Sequence, residues 1–336
     1  MAENPNDSGD STRNVVGDPL LNAVENVNSF SIEVDARSNV YTAASHRQIV
    51  RAIRIVNTGW MGEADEIVVS IHSEAPGATS LLIPWARAYP MIARGDRIVD
   101  ESISIHPNLV QLASLEEAVR GYLVVQVRVG NEVLGEQRLP VDFLAYNQWM
   151  HSRLDYDVIS SFVFPNHPVV GRIMSGVRKR LEANTTVGFT DGYQHFGNTP
   201  ESYLRGMARV DEMLRAIFEE LQSQGYEYSD PPPSFEGFGQ KIRTPDLIDR
   251  DKAATCLDSS VMAASCIAAA GLSPIIFVVR GHAFPGAWRT PLNHVDESGA
   301  MMNFPMRPSV IDNVNDFQLL AARDMVCLLY TSDAAD

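Results

Sequence analysis

The chain has 336 residues, 45% hydrophobic and 21% charged, a globular composition that excludes collagenous, low-complexity and disulfide-scaffold classes. Its 27 basic and 42 acidic residues give a net charge of −15, which argues against a general phosphate-binding surface and so against direct nucleic-acid binding. No apolar run approaches the roughly 18–20 residues that cross a bilayer, and the opening segment has neither the basic nor the apolar region of a secretory signal. With only three cysteines, at 256, 266 and 327, the usage is that of a reducing compartment, and a cytoplasmic location is expected.

Residues 1–28 are polar, aperiodic and rich in Asn, Asp and Ser, which predicts a disordered leader. Residues 29–145 alternate in strand fashion: Ile67, Val69 and Ile71; Leu123, Val125, Val127 and Val129; Ile53 and Ile55 between charged neighbours. Turn signals at Asn57-Thr-Gly59, Ala75-Pro-Gly77, Arg94-Gly-Asp96 and Gly130-Asn131 separate these runs. Several short strands in this length, with little helical periodicity, predict an immunoglobulin-like β-sandwich that carries no chemistry of its own.

From residue 146 the period changes. Val169, Val170, Ile173, Met174, Val177 and Leu181 recur at helical spacing. So do Leu204, Met207, Val210, Leu214, Ile217, Phe218 and Leu221, opposite Arg205, Arg209, Glu212 and Glu219, in a helix opened by Pro200 and closed by Gly225. After a Pro/Gly-rich loop, Thr255 to Ala270 is a small-residue helix stopped by Gly271, and Ser273 to Val279 is a β-branched strand leading into Gly281-His282-Ala-Phe284.

That order suggests nucleophilic chemistry. A thiol attacks only once ionised, and a helix N-terminus offers partial positive charge and free N–H groups that stabilise thiolate. Thr255 is placed to cap the helix, so Cys256 falls in its first turn. His282, after one helix and one strand, is positioned for the chain to return it beside that thiol as a general base. The Gln240 amide and the Cys256 N–H are candidate oxyanion donors, although Gln240 serves equally well to satisfy loop carbonyls. Asp258 either tunes the helix start or is structural. Lys241 and Arg243 read as surface ion-pair formers, Cys266 as core packing, and His167 as a turn residue. The remaining histidines have no metal-ligand spacing with the cysteines, and no phosphate-binding loop or Gly-x-Ser-x-Gly elbow occurs, so no metal or other cofactor is expected.

Several segments together carry a resemblance: Tyr146-Asn-Gln-Trp149, Phe162-Val-Phe-Pro-Asn-His-Pro168, Gly192-Tyr-Gln194, Pro232-Pro-Ser-Phe-Glu236, Gly239-Gln-Lys-Ile-Arg243, Thr255-Cys-Leu-Asp258, Gly271-Leu-Ser-Pro274 and Gly281-His-Ala-Phe-Pro-Gly-Ala-Trp288. The stretch from about 30 to 326 resembles the N-terminal region of large bacterial proteins in which a domain of unknown function is fused to superfamily 1 helicase-like and restriction-endonuclease-like modules. The resemblance implies an immunoglobulin-like domain followed, over 146–326, by an α+β transglutaminase-like (papain-related) cysteine hydrolase domain, with Cys256 as nucleophile and His282 as base. It also implies a protein or peptide substrate, helicase and nuclease segments in cis, and no membrane partner. An acidic third member sits on a strand after the histidine in such folds. Here that strand begins at Met325-Val326; Asp324 is too early in it, Asp296 and Asp312 lie in loop-like sequence, and the acid stays unassigned.

Residues 327–336, Cys-Leu-Leu-Tyr-Thr-Ser-Asp-Ala-Ala-Asp, read as an in-frame translation of a transposon-end sequencing adapter. The native sequence is then expected to depart near Val326 and to carry the missing acid beyond it. The sequence therefore supports a cysteine hydrolase or acyl-transfer module. Against it stands a non-catalytic scaffold within a nucleic-acid-processing, defence-type machine.

Overall fold

A computed structural model of the chain describes residues 29–78, 80–150, 152, 155–197, 199–230, 239–279 and 281–291, the strand positions 294–295, 301–302 and 325–327, and positions 310, 311, 313, 315 and 318. The expected leader, Asp296, Asp312, Asp324 and the tail from 328 lie outside these residues. The chain divides into two compact units, Met1–Tyr146 and Asn147–Asp336.

In the first unit, β1 (Phe30–Ala36), β3 (Val50–Asn57) and β6 (Arg97–Asp100) form one antiparallel sheet with β3 central. The second sheet has the order β2 (Asn39–Val40), β8 (Glu132–Phe143), β7 (Val119–Val129), β4 (Glu66–Glu74), β5 (Trp85–Pro90), antiparallel except where β2 joins β8. A short helix, α1 (Leu109–Ala113), lies between β6 and β7. The alternation read from the sequence becomes the core: Ile67, Val69 and Ile71 of β4 and Leu123, Val125 and Val127 of β7 are buried in one cluster with Ile53 and Ile55 of β3. One apolar core therefore serves both sheets.

The second unit opens with β9 (Gln148–Trp149) and a 3-10 turn, Tyr156–Phe162. In α2 (Pro168–Asn184), Pro168 at the first turn donates no N–H where none is needed, and His167 caps the end by accepting the Val169 N–H on Nδ1 at 3.3 Å. In α3 (Pro200–Ser223), a Thr199/Ser202 capping box fixes the start. Two residues of this helix depart from the sequence reading: Leu204 is 66% exposed, and Arg209, read on the polar face, is buried. Strands β10 (Glu227–Tyr228) and β12 (Ala253–Ala254) pair in parallel, and β11 (Gln240–Lys241) pairs antiparallel with β9. Between β11 and β12 lies α4 (Pro245–Asp251).

Helix α5 (Cys256–Ala269) is the centre of this unit. It packs on α2 and α3 and on the hairpin β13 (Pro274–Val279) and β14 (His282–Trp288). Residues 260–267 are all buried, which is why the segment carries no charge and no amphipathic stripe; its two hydroxyls, Ser260 and Ser265, donate back to the Cys256 and Val261 carbonyls. The hairpin continues into a three-stranded sheet of order β13-β14-β17, with β17 at Met325–Cys327, and a separate two-stranded ladder joins β15 (His294–Val295) to β16 (Met301–Met302). Among the described residues, no helix is long and apolar enough to cross a membrane.

Candidate active site

Cys256 is the first residue of α5, and the helix start around it is tightly specified. Thr255 Oγ1 accepts the Asp258 N–H at 3.1 Å, and Asp258 Oδ2 accepts the Thr255 N–H at 2.9 Å, a reciprocal capping box. Capping leaves the first-turn N–H groups of Cys256 and Leu257 directed out of the helix end, where they favour negative charge. Cys256 is half-buried, whereas Cys266, nearly three turns along, is fully enclosed. Burial pushes the Cys266 thiol up to about 12, which makes it neutral and inert.

Chain geometry brings His282 to the level of this helix end. Helix α5, of 14 residues, is about 21 Å long, and β13, of six, runs back over about 20 Å. The chain then reverses, so that His282 pairs with Val279 across the hairpin. Gly281 has φ +77°, the left-handed conformation such a reversal needs. His282 thus opens the second strand of a hairpin, where the sequence suggests only a segment that follows the first. Pro285, three residues along β14, borders the same cavity as Ser259, Met262 and Ala263 of α5, and Ala287 packs in the core beside Cys266 and Ile267. Stepping from Pro285 back to His282 covers about 10 Å of strand, enough to pass the first turn of α5.

Level is not contact. Along β14 the buried Ala283, Pro285 and Ala287 share the face toward α5, and His282 and Phe284 point from the other. The His282 ring stacks on Phe284 with centroids 6.1 Å apart, and Phe284 stacks on Phe277 of β13 at 4.9 Å. Among the described residues no hydrogen bond joins Cys256 Sγ to His282.

Gln240 sits beside the thiol's cap. It is buried, pairs through β11 with Trp149, and donates Nε2–H to Thr255 Oγ1 at 3.1 Å. One amide N–H is therefore committed to the cap and one remains. Arg243 departs from the reading as a surface ion-pair former. Its backbone N–H reaches Asp258 Oδ1 at 2.8 Å and its Nη1 reaches Oδ2 at 3.0 Å, and the Asp258 side chain is fully buried. The spacing T-x-x-D signalled the cap; nothing in the sequence signalled the partner fifteen residues earlier.

The cavity between α3, α5 and β14 is apolar and lined by Ile217, Phe218, Leu221, Tyr226, Met262 and Pro285 among others. Its ≈ 20 Å³ interior has room for about one water, so it is a packing hollow that no peptide enters. Among the described residues no group of three or more His, Cys, Asp or Glu is arranged to hold a metal.

No family model matches this chain, and no curated protein does. Among solved structures it is similar to a β-galactosidase from Bacteroides fragilis at 10% identity and a TM-score of 0.21, over 59% of this chain and 31% of that one. A β-glucuronidase from glycoside hydrolase family 2 is similar at 10% identity and a TM-score of 0.21, over 67% and 29% of the two chains. The chain spans about a third of the length of these structures, and scores this low establish neither a common fold nor a common function.

Proposed function

We propose that the second unit is a transglutaminase-like cysteine hydrolase or acyl-transfer domain acting on a protein or peptide, preceded by an immunoglobulin-like domain. The observation that carries the reading is the half-buried Cys256 at the first position of a central helix fixed by a reciprocal capping box; His282 opens the adjoining strand β14. In the proposed reaction Sγ forms a bond to an acyl carbon and the amine departs. The thiol proton passes to His282 and then to the leaving amine, and water or a second amine resolves the thioester, which regenerates the thiol. The spare Gln240 N–H and the Cys256 N–H are the proposed donors to the transient oxyanion.

An acid to orient His282 would come from the strand beside β14. Strand β17 pairs antiparallel with β14, Cys327 opposite Gly286, and so runs toward the His282 end. That direction supports the expectation of an acid beyond residue 326 of the native sequence. In the full protein the module would act in the cytoplasm with helicase-like and nuclease-like segments in cis.

The second reading is a non-catalytic scaffold. It is favoured by one observation: the His282 ring lies with Phe277 and Phe284, on the face of the hairpin away from α5. The two readings separate on labelling of the chain by a thiol-directed acyl probe. The hydrolase reading expects stoichiometric modification at Cys256 that is lost in Cys256→Ala; a scaffold gives none.

A further inference from the structure

The Asp258 carboxylate is engaged on both oxygens by its own neighbours. Oδ1 accepts the Arg243 N–H, and Oδ2 accepts both the Thr255 N–H and Arg243 Nη1. It is fully buried, whereas the Arg243 side chain is 33% exposed and is the cation that balances it. A buried carboxylate two residues from a thiol opposes the thiol's ionisation unless a positive charge offsets it. The same arginine belongs to the segment that carries Gln240. That segment is held in turn by the β9 chain, where Asn147 Nδ2 donates to the Ile242 carbonyl at 3.0 Å and the Ile242 N–H returns to the Asn147 carbonyl at 2.8 Å.

We infer that Arg243 and Asp258 form a charge couple that positions the Cys256 helix tip and compensates the carboxylate beside it, with Arg243 the positioning residue that governs thiol reactivity. The inference deepens the proposed function and rests on Cys256 as nucleophile. Two independent anchors join residue 243 to Asp258, and only one depends on the side chain. The backbone N–H remains whatever residue stands there, so a side-chain substitution removes the charge while keeping the loop attached.

The test is the rate of iodoacetamide alkylation at Cys256 in the whole chain at pH 7, followed by mass spectrometry of the Cys256 peptide. In Arg243→Gln the rate falls roughly tenfold. In Arg243→Lys, which restores charge without the guanidinium fork, it returns to within about twofold of wild type. Thermal melting, recorded alongside, is lowered in Arg243→Gln, which strands the buried Asp258 carboxylate, and stays close to wild type in Arg243→Lys; both variants remain folded at the temperature of the alkylation. Equal rates in all three proteins would overturn the inference, and so would equal slowing in both variants, which marks a structural role. Alkylation needs no catalysis. A wild-type chain that resists the acyl probe while showing the Gln/Lys contrast therefore overturns the hydrolase reading and leaves the charge couple standing.

Discussion

Arg209 and Asp191 form an ion pair inside the second unit, Nε 3.2 Å from Oδ1, with both side chains 5% exposed or less. The remaining guanidinium hydrogens go to Glu212 and Thr185 through Nη1 and to the carbonyls of Val187 and Phe189 through Nη2. One side chain on α3 thereby fastens the loop that leaves α2. Arg209→Met leaves the buried Asp191 carboxylate with His195 alone and the Phe189 carbonyl without its guanidinium donor, and is expected to cost about 3 kcal/mol in urea denaturation. Adding Asp191→Asn should recover part of that loss, since the stranded charge goes with it.

Acid sensitivity of the first unit should centre on Asp100. Burial raises its carboxyl, but hydrogen bonds from Tyr89 and Ser102 and the Arg87 charge outweigh this and bring it down to about 2. Folded Asp100 titrates below its unfolded counterpart. Its contribution, on the order of 2 kcal/mol, is complete above about pH 5 and fades as pH falls from about 4 toward 2. Stability measured against pH for wild type and Asp100→Asn should show a gap that narrows over that range. A constant gap would place the acid response elsewhere.

Two glycines share a backbone conformation and differ in surroundings. Gly239 and Gly281 have φ +76° and +77°, but a Cβ on Gly239 would meet the Trp149 carbonyl oxygen at 2.3 Å, while one on Gly281 meets nothing within 4 Å. Gly281→Ala should cost about 1 kcal/mol, the strain of the left-handed backbone alone. Gly239→Ala should cost at least about 2 kcal/mol and, by shifting Gln240 off Thr255, should also slow thiol modification at Cys256. Chemical denaturation and alkylation rates of the two variants make the comparison.

Cys256 and Cys266 should differ completely in reactivity. In a Cys327→Ser background, a colorimetric disulfide reagent should titrate one thiol quickly, Cys256, and release the second only on unfolding, because Cys266 is enclosed and its thiol neutral. Two fast thiols in the native protein would mean that α5 is not the closed central helix described above.

Periodicity made the cores legible and left the polar contacts dark. The stripe Val169, Ile173, Val177 and Leu181 of α2 and the alternation in β4 and β7 are buried as read, because a single face decides each of them. Arg209 reads as solvent-facing because all its partners but Glu212 lie 18 to 24 residues earlier, in a stretch with no pattern to announce them. The Thr255–Asp258 box was readable from spacing alone, yet the Arg243 contact is a tertiary fact. The position of His282 depends on one detail: the histidine begins a strand, and its face is set by the register with Val279. Residue order predicts proximity; the pleat decides which way the ring points.

The dependence of Cys256 acylation on His282 tests the central claim most directly. With a thiol-directed acyl probe at neutral pH, wild type should be labelled at Cys256 at least about 100-fold faster than His282→Ala, the usual contribution of a positioned general base. Equal labelling of the two proteins would show that the ring on the Phe284 side of the hairpin takes no proton from the thiol, and that the module does not work as a cysteine hydrolase.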